Sequence, residues 1–338
     1  MKLRWHGTAA VELIHREGRI LFDPFVTLPH AKYRTELSDF DGATAVLVTH
    51  GHFDHIASLP ALVQRNPGVK IFCTKTPYVT LRKRGVPRKN LKGIWYGDEL
   101  WINGFRITVF HGKHAVLPGL SAKRVLEMVK SPARGNVPWL LRNHLSFPEN
   151  DETVFYLVEA EGLRLALMGS LNLREEEEYP VETDVLILPY NGWEDNLLPA
   201  VSAVERLKPR YILLDHYDNA FPPATMPLDL SPVLDTYGPR IAPLRFRETL
   251  ELNARLIRME SILEEGNRLI DTLEKQLEEL RRFQPKLLEL DHYYTGPRWR
   301  EDYLMDERGL LKDVPKRGIL SQDGIYNLLE RNGEWMDF

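Results

Sequence analysis

Ala45-Val46-Leu47-Val48-Thr49-His50-Gly51-His52-Phe53-Asp54-His55-Ile56 is the stretch from which the rest of the chain can be read. Its first four residues form an uninterrupted apolar run, which predicts a short buried strand. Open α/β sheets carry their sites beyond the carboxyl ends of such strands. Here that end delivers three imidazoles and one carboxylate within six residues. Neutral imidazole and carboxylate together bind zinc, iron or manganese, and no thiolate is at hand. Residues two apart on an extended segment point the same way, so His50 and His52 can grip one ion while Asp54 and His55 turn toward a second. In the alternative reading Asp54 only caps the following helix and the histidines are exposed loop residues, but side chains of ligand type at this density have no packing role there.

At 338 residues the chain can bury a substantial core and accommodates one large domain plus an appendage. The formal charge of −4 gives no electrostatic argument for a nucleic-acid partner. A single cysteine, Cys73, cannot form an internal disulfide and lies in an apolar, strand-like run. Met1 to Leu13 shows no apolar signal segment and no stretch reaches a transmembrane length, so a cytoplasmic protein without a membrane span is expected.

Short strands are predicted at Lys2–Trp5, Val11–His15 and Arg19–Phe22, the last running into Asp23-Pro24. After the histidine run come a helix at Ala57–Arg65, a strand at Lys70–Cys73 and a helix at Thr76–Arg84 with Pro77 at its start. Strands follow at Gly93–Tyr96, Leu100–Ile102 and Phe105–His111. Residues Ala115–Asp151 break the alternation and read as an insertion holding Lys123, Arg124, Arg134, Arg142 and His144. Those cations either meet an anionic substrate or form a solvated surface. Strands resume at Val154–Ala160, Leu163–Met168, Val185–Pro189 and Tyr211–Leu214, with a helix at Leu198–Leu207 and final strands within Arg240–Leu252.

The pattern His-x-His-x-Asp-His behind an apolar strand resembles the metallo-β-lactamase superfamily. That resemblance covers about Met1–Leu252 and implies a four-layer αββα sandwich of the α/β class. It also implies a set of site residues. His50, His52 and His114 would hold a first metal, and Asp54, His55 and His216 a second, with Asp54 and His55 also assigned to catalysis. His111 stands three residues before His114 and becomes a candidate for supporting the site or meeting substrate, as do His144 and Asn191. Asp23, closing an early strand, corresponds to an aspartate that supports the metal loop without binding metal, although a plain turn-forming Asp-Pro reads equally well. The chain departs from the family at Ser170, where an aspartate usually bridges two metals and a neutral hydroxyl cannot supply its charge.

From Leu252 the period changes. Leu256, Leu263, Ile270 and Leu277 recur every seven residues, with Leu252, Met259, Leu273 and Leu280 at the complementary positions. This predicts a long amphipathic helix with coiled-coil character, ending near Phe283 before Pro285, whose seam packs either against the tail of the same chain or against a partner helix in a dimer. The helix and the tail, with its paired tyrosines and Lys316–Leu329, resemble a small bacterial domain family of unknown function over about Glu251–Trp335. The expected division is therefore a metal-binding domain at 1–252 and an appended segment at 253–338. Tyr293, Tyr294 and Trp299 are expected to build a small core or an interface rather than a site.

Zinc is the expected ion, one or two per chain, with manganese or iron as alternatives. A metal-bound water titrates near about pH 7 and gives a hydroxide nucleophile. The reading is thus a hydrolase of a small ester, lactone or phosphodiester. Two competitors are a binding or regulatory protein impaired by Ser170, and a two-iron oxidoreductase, which the missing carboxylate bridge counts against.

Overall fold

The structure, a computed structural model, describes residues 1–16, 18–115, 122–190, 196–311 and 318–336. It divides into two compact units, Met1–Ser261 and Ile262–Phe338. In chain order the first unit contains β1 (Lys2–Trp5), β2 (Val11–His15), β3 (Gly18–Phe22), β4 (Ala45–Leu47), α1 (Phe53–Ile56), α2 (Leu59–Arg65), β5 (Lys70–Cys73), α3 (Lys75–Lys83), β6 (Leu91–Gly93), β7 (Glu99–Ile102) and β8 (Phe105–His111). There follow α4 (Ala122–Lys130), α5 (Val137–Ser146), β9 (Val154–Ala160), β10 (Leu163–Met168), β11 (Val185–Pro189), α6 (Leu197–Leu207), β12 (Tyr211–Asp215), α7 (Ser231–Tyr237), β13 (Ile241–Pro243) and β14 (Thr249–Glu251). One sheet runs β14-β1-β2-β3-β4-β5-β6 and the other β13-β12-β11-β10-β9-β8-β7.

Alternation along each strand explains why these sheets stack. In β10, Leu163, Leu165 and Leu167 join the core between the sheets, while Ala166 and Met168 face a second core shared with α6 and α7. In β4 and the residue after it, Ala45 and Leu47 point inward, and Val46 and Val48 point to a third core under α1, α2 and α3. Because successive side chains leave opposite faces, strands that are apolar on both faces must be covered on both. The result is the four-layer αββα sandwich expected from the sequence. Each fully buried leucine or isoleucine contributes roughly 1.5–3 kcal/mol relative to an exposed one. Tyr156, wholly buried in the central layer, donates its hydroxyl to the Val48 carbonyl at 2.7 Å and so links the second sheet to the strand that carries the histidine run.

Two local expectations need correction. The strand expected at Gly93–Tyr96 is β6, Leu91–Gly93, because pairing with β5 sets Ile71 opposite Leu91. Within the insertion α4 and α5 form, and Pro138 sits at the start of α5, where a proline lacks nothing the helix needs. The C-terminal helix α8 spans Ala254–Thr295 and passes through Pro285 instead of ending before it. The lost backbone bond there is outweighed by packing of the next turn, where Leu287 is buried and Gln284 and Asn332 exchange side-chain hydrogen bonds at 2.8 and 3.0 Å.

The second unit continues α8 and adds α9 (Pro297–Glu307) and α10 (Gln322–Met336). Its core is Trp299, Leu320 and Ile325, flanked by Tyr293, Tyr294 and Tyr303. Trp299 stacks on Tyr303 and donates its indole N–H to the Ile319 carbonyl at 2.9 Å.

Candidate metal centre

The histidine run leaves β4 between two parallel neighbours, β3 and β5, so the backbone carrying it is held on both sides. Close approach of other segments then decides which residues the run tolerates. A Cβ on Gly51 would lie 2.2 Å from the Pro148 carbonyl oxygen. One on Gly169, at the end of β10, would lie 2.4 Å from the Val154 carbonyl oxygen and 2.7 Å from Thr49 Cβ. Across this contact the Val154 amide donates to the Thr49 carbonyl at 2.7 Å. Gly169 thus lets the end of β10 meet the segment leaving β4 from the other sheet, and Gly51 lets the Pro148 segment close over the histidine run.

His50, His52 and His114 come together there, each offering one ligand atom, with the three atoms within 4.8 Å of one another. Their ring centroids are 4.6–4.9 Å apart. Asp54, His55 and His216 form a second group by the same measure, and the two groups adjoin where the His50 and His55 rings lie 3.8 Å apart. His216 stands just past β12 with a left-handed backbone (φ 59°), and its amide donates to the Thr8 carbonyl at 2.9 Å. A non-glycine residue in that region costs of order 1–3 kcal/mol, a strain that clusters at functional sites.

A hydrogen-bond relay decides which ring nitrogens are free. Asp23, buried and itself at φ 44°, accepts the Thr49 amide at 2.8 Å, the Thr49 hydroxyl at 2.5 Å and His55 Nδ1–H at 2.8 Å. A carboxylate only accepts, so His55 carries a proton on Nδ1 and turns Nε2 toward Asp54, 3.3 Å away. With its hydroxyl proton committed to Asp23, Thr49 Oγ1 accepts from His50 Nδ1 at 3.1 Å. His114 Nδ1 lies 2.7 Å from the Ala115 carbonyl oxygen and must likewise be the donor. In the neutral form of each ring Nε2 keeps its lone pair. His50 Nε2 is buried and has no hydrogen-bond partner among the described residues, an orphaned acceptor of the kind that a cation satisfies.

Electrostatics separate the two groups. Burial holds His50 well below the usual imidazole range, and it lowers His52 to about 4 against the pull of Asp54. Burial also lowers His114. This trio is neutral, the form in which imidazole ligates a metal. Burial would lower His55 too, but the Asp54 and Asp23 carboxylates outweigh it and raise His55 to about 10. Metal binding at that ring is therefore coupled to release of a proton. Burial would raise Asp54, yet the His55 and His216 imidazoles on either side hold it well below the carboxylate range. The donor set, five imidazoles and one carboxylate, fits a borderline divalent cation.

The remaining sequence candidates fall outside these groups. His111 ends β8, stacks on Tyr96 at 3.8 Å and approaches the Asp151 carbonyl at 3.1 Å. His144, exposed on α5, lies at the rim with its ring 6.4 Å from that of His52. Asn191 lies outside the described residues, as does Trp193. Ser170 Oγ accepts the Ala115 amide at 3.0 Å, and Asn172 donates to the His114 carbonyl at 3.3 Å, so both tether the loop that presents His114.

Sequence reasoning passed over two features. One is Thr49, an ordinary residue until the relay is seen. The other is an apolar wall of Phe25, Phe53, Trp139 and Phe221, with Phe221 6.1 Å from the His216 ring. Its members are scattered along the chain, and only Phe53, inside the histidine run, gave a local signal.

Comparison with known proteins gives two family matches. Residues 18–217 match the beta-lactamase superfamily domain, and residues 256–338 match a domain of unknown function, DUF4298. A UPF0173 metal-dependent hydrolase of Methanobrevibacter smithii is 27% identical over 232 residues, 66% of this chain and 84% of the relative. A second, from Agrobacterium fabrum, is 29% identical over 142 residues, 42% of this chain and 57% of the relative. Among solved structures, the metallo hydrolase Igni18 from Ignicoccus hospitalis aligns with a TM-score of 0.49 at 19% identity, over 75% of this chain and 99% of that one. An isothiocyanate hydrolase from Delia radicum gut bacteria aligns with a TM-score of 0.49 at 15% identity, over 75% and 100%.

Proposed function

The chain belongs to the beta-lactamase superfamily, and from that premise we propose that it is a metal-dependent hydrolase of a small ester, lactone or phosphodiester. The observation that carries this reading is the pair of adjoining ligand groups, each with its ligand atoms within 4.8 Å, one of them including the buried His50 Nε2, which has no hydrogen-bond partner among the described residues. His50, His52 and His114 hold the first ion, zinc in preference to manganese or iron, and Asp54, His55 and His216 hold a second. An ion at this site supplies Lewis acidity toward a carbonyl or phosphoryl oxygen and a nucleophilic water at neutral pH.

The protein's own residues do the rest. Asp23 and Thr49 keep the ligand nitrogens available at Nε2, the supporting role expected of Asp23. Ser170 and Asn172 hold the His114 loop in place. Phe221, buried beside the His216 ring, helps to keep water from that group. His144, exposed at the rim, meets the substrate's polar end. The chemistry belongs to residues 1–252, with 253–338 as the appendage.

The setting is cytoplasmic and reduced, without a nucleic-acid partner. Support comes from the net charge of −4 and from Cys73 being a buried free thiol. Among the described residues no helix is long and apolar enough to cross a membrane. One observation favours a second reading, a metal-binding protein impaired in turnover: at the bridging position Ser170 offers no charge, and its hydroxyl is occupied by the Ala115 amide.

The test is to strip the protein with a chelator, reload it with zinc, manganese or iron, and assay an aryl phosphodiester, an aryl ester and a lactone. Hydrolysis of at least one class, lost on stripping and restored on loading, is expected. A fully loaded protein inert toward all three favours the impaired reading.

A further inference from the structure

Along its middle turns α8 leaves an apolar stripe uncovered. Ile262, Leu263, Leu269, Ile270, Leu273 and Phe283 are each between 47% and 59% exposed, an unusual concentration of apolar surface for a helix in water. With Leu263, Ile270 and Leu277 at the a positions of a heptad, Gly266, Leu273 and Leu280 fall at d. Glu260, Asn267, Glu274 and Arg281 then occupy e, and Ile262, Leu269, Gln276 and Phe283 occupy g. Beyond Phe283 the seam is closed within the chain, since Gln284 bonds Asn332 and Leu287 is buried. The open part is therefore bounded at its C-terminal end.

We propose that this face binds a second copy of the chain as an antiparallel two-stranded coiled coil, with Leu263 opposite Leu280 and Ile270 opposite Leu273. The sequence selects this partner, its direction and its register. In a parallel pair Gly266 would face Gly266 and leave a gap in the seam, whereas the antiparallel register sets it against Leu277. The flanks then match by symmetry: Glu260 lies beside Arg281 at both ends, and Ile262 lies beside Phe283. A parallel pair would instead place the apolar g residues Ile262 and Leu269 against Asn267 and Glu274. Register is set by charge, because sliding one heptad in either direction brings Glu260 onto Glu274, or Glu274 onto its own copy. No other segment of the chain is required, and the seam between Gln284 and the tail core is left undisturbed.

The experiment uses the full chain. Sedimentation equilibrium should show a dimer at micromolar concentration. Leu263→Cys and Leu280→Cys variants, mixed and oxidised, should cross-link to each other and not each to itself, with Cys73 silent because it is buried. The exposed Glu260→Arg change should weaken the dimer about tenfold, and Glu260→Arg combined with Arg281→Glu should restore it to within about twofold. A monomer at about 100 μM, self-cross-linking of either cysteine variant, or no cross-link in a protein that is nonetheless dimeric would each overturn the proposal. So would capture of a different protein on this face with no self-association.

Discussion

Replacing Asp23 by asparagine is the perturbation that most sharply separates a metal site from a cluster of buried histidines. The change is isosteric and removes one charge. The amide oxygen of the new side chain can still accept the Thr49 amide, but its other atom becomes an NH₂ facing the Thr49 hydroxyl and His55 Nδ1, both of which donate to Asp23 in the native protein. To avoid donor against donor, His55 must move its proton to Nε2, and Thr49, now accepting from the amide, directs its own proton toward His50 Nδ1 at 3.1 Å. Both rings would then carry hydrogen on the nitrogen that should bind the ion. Two charge-assisted hydrogen bonds are lost at about 1.5–3 kcal/mol each, partly offset by the new amide bonds. Loss of such supporting contacts typically lowers metal affinity by about 10–100-fold, or roughly 1.4–2.7 kcal/mol. Calorimetric titration with zinc measures this directly, and ¹⁵N spectra of the imidazoles report the tautomers. Native-like affinity in a folded Asp23→Asn protein, with His50 and His55 still protonated at Nδ1, would refute the relay.

Ser170→Asp should tighten binding at the Asp54–His55–His216 group by at least about tenfold, since an added carboxylate at the position the resemblance assigns to the bridging aspartate would attract a dication more strongly than a neutral hydroxyl does. Zinc titration of both proteins checks it, and an unmodified protein that already binds two equally tight ions would contradict it. Ser170→Ala should instead free the half-buried Ala115 amide, loosen the His114 loop by about 1 kcal/mol and weaken the three-histidine group several-fold in the same titration. Cys73, fully buried with its thiol pushed up by desolvation, should not react with an aromatic disulfide reagent at neutral pH until the protein is unfolded in denaturant.

What the sequence made legible was chemistry that is local. Four of the six ligand-type positions lie on one loop, and the other two, His114 and His216, stand in loops after apolar strands, where the resemblance to the superfamily implies ligands. The resemblance already favoured His114 over His111; in the structure His111 ends β8 and stacks on Tyr96, while His114 lies with His50 and His52. Thr49 and the role of Ser170 as a tether were not legible, because each acts through a contact with a segment distant in the chain. Pro285 was misread for the opposite reason. A strong local rule, that proline ends a helix, gave way to tertiary packing of Leu287 and the Gln284–Asn332 pair.

The most direct measurement is the metal content of the dialysed protein beside its His50→Ala, His52→Ala double variant, after exposure of both to zinc. The native protein should retain at least one tightly held ion, and the variant should lose it. An unchanged stoichiometry in the variant, or no retained metal in either protein, would contradict this.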